Sequence, residues 1–165
     1  MPTLDSFRTF VARGAYTGHS WKRSVSALHM PERFSQDARM VSFVAHEHAF
    51  RLRHNCVGTD HLVLALLDDR RALALLQNTG VNVDVVRRAI ALRMASEPES
   101  TKRDAVLPKS SGLHKAWGDA HVIAQRGGAE FIEPEHLLLA LVDPTNTGFL
   151  STAARDLIAS GFGRA

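Results

Sequence analysis

One eleven-residue stretch occurs twice in this chain. Val57-Gly58-Thr59-Asp60-His61-Leu62-Val63-Leu64-Ala65-Leu66-Leu67 lies over Ile132-Glu133-Pro134-Glu135-His136-Leu137-Leu138-Leu139-Ala140-Leu141-Val142 at an offset of 75, and an acid, a histidine and an apolar run align without a gap. Upstream, at the same offset, Ala45-His46 falls on Ala120-His121 and Ala49 on Ala124. A match at this many positions marks a duplicated helical unit.

The spacing of apolar residues says what the unit is made of. Phe34, Ala38, Val41, Ala45, Ala49 and Leu52 recur at three- and four-residue steps, which predicts an amphipathic helix of about five turns with Ser35 as its cap, ending near Arg53. A second helix is expected over 59–67, a third over 71–79 closed by Gly80, and a fourth over 83–94. Between Ser96 and Ser111 the rhythm gives way to Glu, Ser, Lys and Pro, the composition of a linker. It returns as a helix over 111–126, a break at Gly127-Gly128, a helix opening at Pro134, and a last helix over 149–160 ending at Gly161.

The longest apolar runs, 62–67 and 137–142, are about a third of the roughly 18 residues a membrane span requires, so no membrane role is expected. A single cysteine, Cys56, cannot close an internal disulfide, and the start has no charged leader with an apolar core, so a cytoplasmic location is expected. The net charge of +3 resides in residues 1–29, where Arg8, Arg13, Lys22 and Arg23 face only Asp5. The remainder is neutral, so attraction to nucleic acid would depend on that basic segment alone, and nucleic acid is not the expected partner.

Val57-Gly58-Thr59-Asp60-His61-Leu62 and Glu133-Pro134-Glu135-His136-Leu137-Leu138-Leu139 resemble the acid-His-Leu signature of the Clp N-terminal repeat, which precedes the ATPase modules of ClpA, ClpB and ClpC unfoldases. The segment from Met30 to Arg39 is similar to the start of ClpC proteins, and Arg53-His54-Asn55 suits the same comparison. The resemblance covers about residues 30–162. It implies an all-α fold of two tandem four-helix repeats related by pseudo-twofold symmetry, the second lacking its last helix. The expected organisation is an extension over 1–29, a first repeat over 30–95, a linker over 96–110 and a second repeat over 111–165, both repeats forming one globular domain. The extension is expected to be flexible or to supply one helix, through Phe7, Phe10, Val11 and Tyr16, over the face left open.

By the same resemblance the chain is a stand-alone, non-catalytic module that binds proteins or peptides: an accessory factor, adaptor or decoy in Clp-dependent proteolysis. Its expected partners are a Clp AAA+ unfoldase, its adaptors and its substrates. With no Gly-Lys dipeptide the chain has no ATPase phosphate loop, and no cofactor is expected. In related ClpC domains the acids matching Asp60 and Glu135 are implicated in gripping the guanidinium of phosphoarginine, while helix N-termini receive the phosphate. That assigns a ligand-binding role to Gly58, Thr59, Asp60 and Glu135. Here the first acid is Asp rather than Glu, and Pro134 removes a donor that Thr59 retains.

Other readings of the residues stand beside this one. An acid near a helix start is favoured by the helix dipole alone, by roughly 0.3–1 kcal/mol. His61 and His136 begin the Leu-rich face and are expected to be packed with their ring nitrogens satisfied by backbone or a neighbouring helix. His46 and His48, two apart, lack the four-residue spacing of a zinc-protease helix, and His54, Cys56 and His61 want a fourth ligand, so no metal is expected. A hydrolase built on His54, Cys56 and Asp60 is the enzyme alternative, but Cys56 matches Phe131 in the second copy, which suggests a small core residue. Trp117 is expected in the core, and Trp21 falls in the extension.

Overall fold

The computed structural model describes residues 30–100, 106–142 and 152–162. The expectations for residues 1–29, including the extra helix, the role of Trp21 and the basic nucleic-acid segment, lie outside the described residues. Within them the chain is helical: α1 (Gln36–Arg51), α2 (Thr59–Asp68), α3 (Arg70–Asn78), α4 (Val83–Ala95), α5 (Ser111–Arg126), α6 (Pro134–Val142) and α7 (Thr152–Ala159). Each start has a local cause. Ser35 and Ser110 cap α1 and α5 by accepting from the amides of Ala38 and Leu113, Asp69 caps α3, and Asn82 caps α4.

The two copies are interwoven. Phe34 bridges to Ile132 and Val57 to Lys109, and these four positions exchange under the offset of 75, since Phe34 matches Lys109 and Val57 matches Ile132. The hydrogen bonds repeat the exchange. Ser35 N–H donates to the Ile132 carbonyl at 3.0 Å and Ser110 N–H to that of Val57 at 2.9 Å. Ile132 N–H donates to Arg33 at 2.7 Å and Val57 N–H to Pro108 at 2.8 Å. The lead-in to the first helix of each copy is thus tied to the lead-in of the other copy's second helix, which is a pseudo-twofold arrangement.

Packing follows the same rule. α1 lies on α2 and α5 on α6, while α3 reaches across to α6 and α7 across to α2. α2 and α6 meet at the centre, and every residue of α2 from His61 to Leu67 is buried, as a helix apolar on all sides must be. Leu62, Leu66, Leu137, Leu138 and Leu141 are core, as their spacing predicted. Trp117 joins them, meeting Phe34 edge to face at 5.2 Å. Leu52 does not: it falls at the C-cap of α1 and is 40% exposed. The end of the low-rhythm segment is held firmly, with Leu107 buried and its N–H donating to His46 Nε2 at 3.1 Å.

Candidate functional site

The offset pairing brings helix N-termini together in two junctions. At the first, α2 of one copy starts beside α5 of the other: a Cβ on Gly112 would lie 3.5 Å from Thr59 Cγ2, and one on Gly58 would lie 3.9 Å from Ser110 Oγ. At the second, α6 starts beside α1, and Ser35 Oγ donates to Glu133 Oε2 at 2.8 Å. Glu133 is the counterpart of Gly58, and Asp37 that of Gly112. The two junctions therefore differ in charge. The second carries Asp37 and Glu133, bridged by Arg71 at 3.8 and 3.1 Å, whereas the first is lined by Gly58, Thr59, Ser110 and Gly112. Helix amides beside small uncharged side chains can receive an anion, and carboxylates in the same place repel one.

The histidine of each signature is part of the helix start. Gly58 N–H donates to His61 Nδ1 at 3.0 Å, and Glu133 N–H donates to His136 Nδ1 at 2.9 Å, so each ring caps the turn that precedes it. His61 is buried, and its Nε2 lies 2.9 Å from Nδ1 of the equally buried His54, whose Nε2 lies 3.2 Å from the Met94 carbonyl. With Nδ1 of His61 filled by Gly58, the network assigns protons to Nε2 of both rings, so His61 donates to His54 and His54 to Met94. Burial holds His61 neutral, its pKa lowered to about 3, with His54 and His48 nearby adding to the effect. His136 is half-buried rather than fully packed.

The two acids have different surroundings. Asp60, in the first turn of α2, is gripped by Arg93 of α4 through two bonds, Nε to Oδ2 at 2.9 Å and Nη2 to Oδ1 at 3.0 Å. The same guanidinium donates Nη1 to Asp156 Oδ2 of α7 at 2.6 Å. Its pKa is raised, chiefly by the Asp60 bonds. Glu135 is partly buried, and its Oε2 is inaccessible with no hydrogen-bond partner among the described residues. Sequence reasoning placed both acids at helix starts and missed Arg93, whose partners lie 33 and 63 residues away.

Catalytic geometry around Cys56 is not assembled by the described residues. His54 spends its ring nitrogens on His61 and Met94, Asp60 is turned to Arg93, and burial raises the Cys56 thiol pKa, with Glu97 adding to it, away from a nucleophilic thiolate. Cys56 is only partly buried, so it is not the small core residue expected, and its counterpart Phe131 is 46% exposed. His46 and His48 are both buried on α1. No group of three or more His, Cys, Asp or Glu among the described residues is placed to hold a metal ion. No helix among them is long and apolar enough to cross a membrane.

Two helical repeats tied by reciprocal junctions at their helix starts define the class of fold. Residues 33–153 match the Clp repeat (R) N-terminal domain, and the chain belongs to that family. It is 27% identical over 112 residues to the negative regulator of genetic competence ClpC/MecB of Bacillus subtilis, covering 67% of this chain and 14% of that protein. The chain thus spans about a seventh of the length of that relative. Among solved structures, the N-domain of ClpV from Vibrio cholerae superposes with a TM-score of 0.66 at 17% identity, over 84% of this chain and 80% of that one. A complex of the ClpV N-domain with a VipB peptide superposes with a TM-score of 0.63 at 17% identity, over 84% and 81%.

Proposed function

We propose that this chain is an accessory factor of Clp-dependent proteolysis that binds peptide segments, arginine-phosphorylated ones among them, at the junction of α2 and α5. The observation that carries the reading is the charge difference between the junctions. Where the second junction holds Asp37 and Glu133, the first offers Gly58, Thr59, Ser110 and Gly112 around two helix starts. Thr59 keeps the backbone donor that Pro134 lacks, so the first-turn amides from Thr59 on receive the anionic group in the space Gly58 leaves open, with Asp60 the acid beside them for a guanidinium and Glu135 its counterpart in the second copy. The VipB peptide on a ClpV N-domain lends support, since the fold is shared. The partners are a Clp AAA+ unfoldase, its adaptors or its substrates, and the location is the cytoplasm.

Gly58→Glu tests the site directly. Gly58 has φ −106°, open to any residue, and a Cβ there meets ordinary contacts at 3.7 and 3.9 Å, so the variant folds and carries the carboxylate found in the other junction. It should weaken binding of an arginine-phosphorylated peptide roughly tenfold or more by like-charge opposition, measured by calorimetry. Unchanged affinity rejects the site. A pull-down from native lysate with Asp60→Ala and Glu135→Ala reports on the partners. In a degradation assay with the unfoldase, slower turnover marks a decoy and faster turnover an adaptor; no effect rejects both.

A further inference from the structure

The acid of the first copy already holds an arginine. Arg93 meets Asp60 as a fork, with two nearly parallel N–H···O bonds of 2.9 and 3.0 Å, which is the geometry by which a guanidinium is recognised. Its third nitrogen reaches Asp156 on α7, so one side chain from the last turn of α4 fills the space between α2 and α7. The cluster is not sealed. The side chains of Arg93, Asp60 and Asp156 keep 30%, 16% and 26% of their exposure, so the guanidinium can swing into water without disturbing a core residue. The matched acid, Glu135, has no hydrogen-bonded occupant on its buried Oε2 among the described residues.

We propose that Arg93 is a latch: an internal arginine that occupies the Asp60 carboxylate in the free protein and is displaced when the guanidinium of a bound ligand takes its place. This rests on the peptide-binding reading above and adds regulation to the same site. Thr59 and Asp60 are consecutive in the first turn of α2, so the latch lies beside the amides assigned to the anion. Exchange is like for like: Asp60 gives up one guanidinium and gains another, and the released Arg93 remains next to Asp156. The protein consequently selects ligands that carry a guanidinium together with an anionic group, because an anion alone leaves the latch closed. Apparent affinity is reduced by the fraction of time the slot is open, so a slot open about one tenth of the time weakens binding about tenfold.

The test is a calorimetric titration of the intact protein and of Arg93→Met, which keeps an unbranched apolar stem and removes the fork, with an arginine-phosphorylated peptide and separately with inorganic phosphate. Arg93→Met should bind the peptide roughly tenfold more tightly and inorganic phosphate unchanged. Equal or weaker peptide binding by the variant overturns the latch while the binding reading stands. If neither protein binds the peptide, the reading itself fails and the latch falls with it. Should circular dichroism show Arg93→Met unfolded, the intact protein decides by NMR. The Arg93 Nε–H signal must shift and exchange faster at peptide saturation, and an unmoved signal overturns the latch.

Discussion

His61 and His136 take the part usually played by a glutamate three residues into a helix, each offering Nδ1 to the backbone N–H at the helix start. Their repetition in the two signatures therefore has a structural cause. The expectation of a ring nitrogen satisfied by backbone follows from their position, while the His54–His61 contact could not be read from the sequence, because the path of the six residues between them decides it. Neutrality of the buried rings has a pH consequence. The pKa of His61 is lowered to about 3 by burial and that of His48 to about 4, again by burial first, against about 6.5 in the unfolded chain. Below pH 6.5 the unfolded chain binds protons that the folded one refuses, so stability is full above that pH and lost as pH falls towards 4. Glu97 Oε2 lies 3.3 Å from His54 Nδ1, the nitrogen that accepts from His61. Thermal denaturation should show little change from pH 8 to 7 and a decline below 6.5, with a limit of about 1.4 kcal/mol per pH unit for each histidine. A midpoint that stays level down to pH 5 would refute this account.

Helix boundaries were legible in the sequence to within a residue or two, apart from the start of the last helix, expected at 149, which lies outside the described residues, because capping residues and apolar spacing are local signals. Ser35, Gly80 and Pro134 mark helix starts and ends as expected, and the start of α5 at Ser111 adjoins a cap at Ser110. What local signals cannot carry is the pairing of one copy with the other: the bond from Ser35 to Ile132 joins residues 97 positions apart and leaves no periodic trace. The charge contrast of the junctions was present in the alignment of Gly58 with Glu133, but becomes meaningful only once α2 is known to start beside α5. One helix end shows a mismatch that the duplication exposes. Arg53, with φ 59°, occupies the left-handed position after α1, and its counterpart after α5 is Gly128, with φ 69°. Arg53→Gly relieves a strain of about 1 kcal/mol, less the loss of a surface pair with Glu99, and should raise the denaturation midpoint. A lowered midpoint would show that Arg53 contributes more than its backbone costs.

The reciprocal ties make the two copies depend on one another. α3 packs on α6 and α7 on α2, and each lead-in borrows its hydrogen bonds from the other copy, so neither half can bury its apolar face alone. A fragment of residues 30–95 should show weak helical circular dichroism and no cooperative thermal transition. A sharp transition in that fragment would contradict the interdependence. Such mutual pairing, in which residue i of one half meets j of the other and j meets i, is the geometry of an isologous contact between two identical chains. In a true dimer every substitution appears at both equivalent places. Joined in a single chain, the halves are free to differ, and this one has used that freedom: Gly58 faces an uncharged junction where Glu133 faces a charged one, and among the described residues Asp60 holds an arginine that Glu135 does not.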